Sequence, residues 1–287
     1  MAKKLFFGFI LLTALSASYS CNTNTQASTE FSDTAKIVSL NGTVSEVLVE
    51  LGLEKNIVGV DVASTYPASL AGKPRVGHSR QIAAEGVLAL APDIVIATTH
   101  DVKPELADQI RNAGVQIYLF EHDYSEEGTK KLIQSIADSL GRQQEAEATL
   151  MRLEKDLEQV KSTRQDTARP KVLFIYARGT GTMMVAGRDT QVDQMISLAG
   201  GENVMKDFSD FKPLTAEALV AANPDVILMF DSGLSSLGGV NQLLEVQGIK
   251  ETNAGKNKRI VEMDGQLLTG FSPRLGRAIQ ELSSKIH

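Results

Sequence analysis

The chain has 287 residues, a formal net charge of −6, 43% hydrophobic residues, four histidines and one cysteine. That length holds one large domain or two ordinary ones, each with a real core. The acidic balance, with no Lys/Arg run interleaved with aromatics, excludes a nucleic-acid partner, and a lone cysteine excludes an intrachain disulfide.

The chain opens with MAKKLFFGFILLTALSASYS over residues 1–20, a basic pair followed by a short apolar run and small residues. This is the make-up of a secretory signal peptide, and its apolar run is too short for a membrane span. Cys21 follows directly, in the loose lipobox SASYSC where Tyr19 is bulkier than usual. Lipidation of Cys21 is the preferred reading and a free thiol the alternative. The polar, Thr/Ser-rich stretch over 21–35 reads as a flexible tether.

From Lys36 the pattern is α/β. KIVSL (36–40) and NIVGVD (56–61) flank a connector in which Val44, Val47, Leu48 and Leu51 recur at helical spacing, with Gly52 as the stop. DIVIATT (93–99) and QIYLFE (116–121) repeat the plan around a helix, KPELADQIRNAG, ended by Gly114. Strands alternating with helices predict a parallel sheet in an N-terminal lobe over 36–140. The chain turns helical from Glu126, and over 141–168 good helix formers carry Leu150, Leu153 and Leu157 on one stripe, which predicts a connecting helix. A second α/β lobe follows over 169–287, with strands at 171–177, 225–230 and 259–263 and a helix, TQVDQMISLAG, ended by Gly200 and Gly201.

An internal repeat relates the lobes. AAEGVLALAPDIVIA (83–97) aligns without gaps to TAEALVAANPDVILM (215–229), pairing Glu85 with Glu217, Pro92 with Pro224 and Asp93 with Asp225. In each copy a short helix runs into Pro-Asp, which ends the helix and launches a buried strand. Two lobes built to one plan imply a cleft between them.

No catalytic constellation stands out. The G-x-S-x-G turn of a serine hydrolase is missing, and GTGTMMVAG (179–187) lacks the Lys-Ser/Thr of a phosphate loop and reads as a hairpin-like turn. HDYSEE (122–127) sets a histidine beside acids, which on a surface loop reads as a solvated group.

The repeat, together with the block VGHSRQIAAEG (76–86), resembles the substrate-binding components of ABC importers for haem, cobalamin and siderophores, and most closely the haemin-binding HmuT-like proteins. The likeness extends from KIVSLNGTVSEVLVELGLEKNIVGVDVASTYP to GIKETNAGKNKRIVEMDGQLLTGFSPRLGRAIQEL. It implies a class III periplasmic-binding-protein fold, two Rossmann-like lobes joined by a long α-helix. It also implies a non-enzymatic function, capture of haem b (Fe(III) protoporphyrin IX) and its delivery to an inner-membrane ABC permease with its ATPase. A haem donor protein is a further implied partner, and the implied location is the periplasm or cell surface, with an anchor at Cys21.

Residue by residue, the resemblance puts an axial haem ligand at His78, where other members carry Tyr, with Gly77 leaving room for the macrocycle and Arg80 placed to pair with a propionate. A loop histidine bonded to backbone is the other reading of His78. Tyr176 and Arg178 match a Tyr-x-Arg pair that supplies a tyrosinate and its supporting guanidinium. Tyr176 as a plain strand-end residue stands equally open, and Met183 and Met184 are the competing ligands. Glu85 and Glu217 match a pair that docks on permease arginines, or else are ordinary acids at helix N-termini. Tyr66 and Arg274 are candidates for the cleft edge. The alternatives in ligand are cobalamin, a siderophore or a divalent metal, and in class a cell-envelope enzyme.

Overall fold

A computed structural model describes residues 31–79, 81–163 and 169–287; the signal segment, Cys21 and Arg80 lie outside the described residues. In the N-terminal lobe β1 (Ile37–Ser39), α1 (Gly42–Glu50), β2 (Ile57–Val60), α2 (Ala84–Leu88), β3 (Ile94–Thr98), α3 (Pro104–Asn112), β4 (Gln116–Phe120) and α4 (Glu126–Leu140) follow one another. The four strands form a sheet of order β2-β1-β3-β4 in which every pair is parallel. Helix α1 starts where the Asn41 side chain accepts from the backbone N–H groups of Thr43 and Val44, and α4 starts at Ser125, whose hydroxyl accepts from Gly128. Gly141, at φ 64°, ends α4 in the left-handed conformation that glycine adopts without steric penalty. The next helix, α5 (Gln143–Thr163), inserts Leu153 and Leu157 into the core, while Leu150 is half-buried against it.

The C-terminal lobe runs β5 (Lys171–Ala177), β6 (Met183–Ala186), α6 (Gln191–Leu198), β7 (Glu202–Asn203), β8 (Phe211–Pro213), α7 (Ala216–Ala222), β9 (Val226–Phe230), α8 (Asp231–Leu237), α9 (Val240–Leu244), α10 (Asn253–Lys256), β10 (Ile260–Met263), α11 (Gly265–Thr269) and α12 (Leu275–Ile286). Its sheet has the order β10-β9-β5-β6-β8, with β7 also paired to β5. The uniformly parallel pattern does not carry over to this lobe. Strand β6 is antiparallel to β5, because the 179–182 segment is a tight hairpin that returns the chain beside it, and β8 is antiparallel to β6.

The Pro-Asp repeat has a structural explanation. Asp93 accepts from the backbone N–H of Lys36 at 2.8 Å and donates its own N–H to the Lys36 carbonyl, so it pins the entry of β1 beside β3. Asp225 does the same to Lys171 in front of β5 and β9, at 3.1 Å. Both bonds are solvent-exposed and so individually weak, but each fixes the same strand entry in its lobe, which explains why both copies place an aspartate there. The Asp225 carboxyl lies below its usual range, chiefly through the Asn253 side-chain hydrogen bond.

Residues 31–35, assigned by composition to the tether, are part of the folded body. The Asn56 amide donates to the carbonyls of Asp33 and Ala35, both at 2.9 Å, and Arg142 pairs with Asp33 and lies over the Phe31 ring. Nor do the lobes communicate through α5 alone. After β10, residues 264–274 cross back to the N-terminal lobe as a strap before α12 returns to pack on α5. Among the described residues no helix is long and apolar enough to cross a membrane.

Candidate functional site

Parallel strands place ligands at their carboxyl ends, and here both sheets aim those ends at one interlobe cleft. Asn41 follows β1, Thr65 follows β2, Asp101 follows β3 and Tyr124 follows β4; Arg178 follows β5 and Asp231 follows β9. All six line a cavity of about 600 Å³ whose lining mixes polar and apolar surface. A second cavity of about 490 Å³ adjoins it, sharing Gln191, Phe230 and Thr269, and is walled by Tyr176, Met184, Val192 and Phe211. Each volume lies in the range of small-molecule sites, and the pairing of a mainly apolar compartment with a mixed one suits an amphiphilic ligand.

The apolar wall follows from strand alternation. Tyr176 pairs with Met184 across the β5–β6 ladder, and Tyr176 meets Phe230 edge-on at 6.2 Å between ring centroids. Arg178, two residues along from Tyr176, lines the larger compartment. Met183 is excluded as a cleft ligand, since it pairs with Ala177 and packs into the core on the opposite side of the sheet with Leu173 and Ile175.

On the N-terminal side His78 is exposed and does not line either cavity. Its loop adjoins the cleft at the next residue, where the Ser79 hydroxyl donates to Asp101 Oδ1 at 2.8 Å. Gly77 has a different role from the expected one. A Cβ there would meet Ile82 only at an ordinary 3.6 Å, whereas its φ of 124° is open to glycine alone, so the residue serves the loop's turn rather than clearance. Beneath the cleft a buried chain of hydroxyls runs from Ser39 through Ser45 and Ser64 to Asp61. Burial pushes the Asp61 carboxyl above its ordinary range against hydrogen bonds from Ser64 and Ala63 that pull it down.

His122 is not a solvated surface residue. It is 4% exposed, its Nε2 lies 3.2 Å from the Phe271 carbonyl, and its ring meets Tyr124 edge-on at 5.2 Å. Burial holds it below the usual imidazole range despite that carbonyl, so it is neutral at neutral pH and donates from Nε2. Phe271 belongs to the strap, of which the sequence pattern singled out Arg274 alone. Gln266, on α11, accepts from Thr65 N, Thr65 Oγ1 and Tyr66 N at 2.7, 2.8 and 2.9 Å, and donates to the Gly42 carbonyl and to Glu46. Glu46, 2% exposed, is gripped by Arg274 through two bonds of 2.6 and 2.8 Å. The Arg274 guanidinium lies 3.6 Å from the centroid of Tyr66. Tyr66 and Arg274 are therefore partners in a lobe-to-lobe clasp and do not line either cavity.

Glu85 and Glu217 are both exposed and both occupy the first turn of their helices, α2 and α7. Among the described residues no group of three or more His, Cys, Asp or Glu side chains is arranged to hold a bare metal ion. Sequence reasoning missed Asp101, Tyr124 and Phe230 as cleft residues. The signal available for them was position, each standing at or just beyond the end of a predicted strand.

Comparisons with known proteins agree with this architecture. A sequence profile described as "Periplasmic binding protein" matches residues 37–267. The chain is 27% identical over 88% of its length to an ABC transporter substrate-binding lipoprotein, YvrC, of Bacillus subtilis, covering 80% of that protein. It is 25% identical over 89% of its length to a cobalamin-binding protein of Halobacterium salinarum, covering 70% of it. Among solved structures it superposes on the periplasmic haem-binding protein RhuT from Roseiflexus with a TM-score of 0.85 at 39% identity, covering 88% of this chain and 98% of that one. It superposes on the haem-binding protein HmuT with a TM-score of 0.79 at 34% identity, over 90% of this chain and 86% of that one. HmuT has also been solved with a histidine, a tyrosine or an arginine replaced, the last two lying two residues apart.

Proposed function

Because the chain belongs to the periplasmic binding protein family, the substrate-binding components of ABC importers, we propose that it captures haem between its lobes and delivers it to a membrane permease. The observation that carries this reading is the wall built by Tyr176, Met184, Phe211 and Phe230 beside a compartment reached by Arg178. A porphyrin needs apolar cover for its faces, an oxygen, nitrogen or sulfur ligand for its iron, and a cation for its charge. Tyr176 supplies the ligand from the C-terminal lobe, Arg178 balances a tyrosinate, and His78 supplies the opposing imidazole from its exposed loop. His78 stands on the rim, outside the two cavity walls, one residue from the Ser79 hydroxyl that reaches the cleft residue Asp101. The Tyr-x-Arg spacing is the one altered in the HmuT variants, which favours the same pair here.

Arg80 pairs with a propionate in this reading, and Cys21 carries the lipid anchor at the periplasmic or cell-surface membrane. Glu85 and Glu217, exposed at equivalent positions of the two lobes, dock onto the permease. Cobalamin is the second reading, favoured by the relative of that specificity and by the size of the larger compartment.

The deciding experiment is a titration of the purified protein with haemin and, separately, with cyanocobalamin, followed by absorption. A saturable Soret change altered in both His78→Ala and Tyr176→Phe supports the haem reading. Saturation by cyanocobalamin with no haemin response replaces it by the second.

A further inference from the structure

We infer that Asp101 is a positioning residue for the His78 loop. The inference rests on the haem reading, in which His78 is an iron ligand. Asp101 lines the cleft just beyond β3, and both of its carboxylate oxygens are engaged by three separate segments of the N-terminal lobe. Oδ2 accepts from Asn41 Nδ2 and from Thr98 Oγ1, each at 2.6 Å, and Oδ1 accepts from Ser79 Oγ at 2.8 Å. The first two partners are fixed. Asn41 is the N-cap of α1, its own Oδ1 taken by the backbone of Thr43 and Val44, and Thr98 is a buried residue at the end of β3. The Asp101 backbone N–H returns to the Thr98 carbonyl at 3.2 Å, which closes the turn that carries the carboxylate.

The third partner is different in kind. Ser79 sits on an irregular loop whose neighbour His78 is exposed, and its hydroxyl ties that loop to the rigid floor of the cleft. The far side of the loop is held by backbone bonds, Val62 N–H to the Gly77 carbonyl and Gln81 N–H to the His78 carbonyl, both at 3.0 Å. A ligating imidazole on an untethered loop would have to be ordered at the moment of binding. A loop already anchored one residue away has lost most of that freedom beforehand, and affinity gains by the difference. Asp101 thus acts on the iron through Ser79 and the loop backbone without touching the porphyrin, as the residues behind a metal-bound histidine commonly orient it.

The test compares wild type with Ser79→Ala, Ser79→Thr and Asp101→Asn in the purified protein, reading haemin affinity and the ligand-field bands of the bound ferric haem. One hydrogen bond to an ionised acceptor corresponds to about tenfold in affinity. Ser79→Ala and Asp101→Asn are therefore expected to bind haemin about tenfold more weakly, with bands moved toward those of His78→Ala, while Ser79→Thr, which keeps the hydroxyl, restores both. Wild-type affinity and bands in Ser79→Ala overturn the proposal, and this variant decides alone if Asp101→Asn fails to fold. If wild type binds no haemin, the functional reading falls first, and hydrogen exchange of the 76–82 segment then judges the anchor. Unchanged exchange in Ser79→Ala overturns it, and faster exchange confined to that segment upholds it.

Discussion

Replacing Arg274 by methionine should remove about 3–5 kcal/mol of unfolding free energy, because it strands a carboxylate that solvent does not reach. Glu46 is 2% exposed and the Arg274 side chain 13%, so neither charge is well hydrated in the folded protein. The guanidinium meets both carboxylate oxygens, at 2.6 and 2.8 Å. Burial alone would draw the Arg274 pKa down, yet Glu46 outweighs it and the group is held above its ordinary value, a cation at every accessible pH. Ser272 and Gln266 still donate to Glu46 in the variant, which sets the expected loss near the lower end, while the vanished contact with the Tyr66 ring adds about 0.5–2 kcal/mol. Neutralising both partners, as in the double variant Glu46→Gln/Arg274→Met, should recover most of the single variant's deficit, because no buried charge is left unpaired. Urea unfolding followed by circular dichroism reads all of these, with the slope against denaturant unchanged if only stability moves. A single-variant loss under about 1 kcal/mol, or a double variant no better than the single, would refute the view that this pair is a desolvated clasp.

Three further outcomes follow from the same structure. His122 is held below its ordinary range when folded, so between that depressed value and about 6.5 the unfolded chain binds a proton that the folded one does not. Stability should therefore fall as pH drops below about 6.5, and less steeply in His122→Gln; urea midpoints from neutral pH downward check the sign, and a steeper fall in the variant contradicts it. Gly276 lets α12 approach α5 so closely that a Cβ would lie 2.5 Å from the Asp156 Cβ and 2.9 Å from its carbonyl carbon. Gly276→Ala should lose about 1–3 kcal/mol in the same assay, and an unmoved midpoint would show that the helices part without strain. Finally, Met183→Leu should leave the haemin spectrum untouched, while Met184→Leu alters it only if the thioether, and not Tyr176, reaches the iron; absorption spectra of both variants read this directly.

What the sequence disclosed was what short-range pattern can encode. Strands β1, β3, β5 and β9 announce themselves as β-branched runs, and the Pro-Asp repeat marks the two places where an aspartate pins a strand entry. Tyr176 near the end of β5 and Arg178 just beyond it are two residues apart, a local spacing that needs no tertiary information. His122 misled because its burial is created by the strap. The carbonyl it faces lies 149 residues away, and nothing in HDYSEE reports it. Gln266 was silent for a similar reason, since its partners at Thr65 and Gly42 are 201 and 224 residues distant. The hairpin-like turn read at 179–187 is the β5–β6 connection, but the strands β6 and β8 themselves went unread because they have only four and three residues, too few to show a period.

The strap also dictates when the cleft comes into being. Chains emerge from synthesis N-terminus first, so the four strands of the first sheet are made long before Gln266, Gly270 and Phe271 exist. Until they arrive, the Gly42 and Thr65 backbone groups lack their side-chain partner, and Thr43 and His122 lack their carbonyls. A nascent N-terminal lobe therefore presents an unfinished polar face, on which a ligand finds half a binding site and no opposing wall. The last stretch to be made supplies the contacts that hold the two walls of the cleft together, so a chain ending before Gln266 lacks all of them.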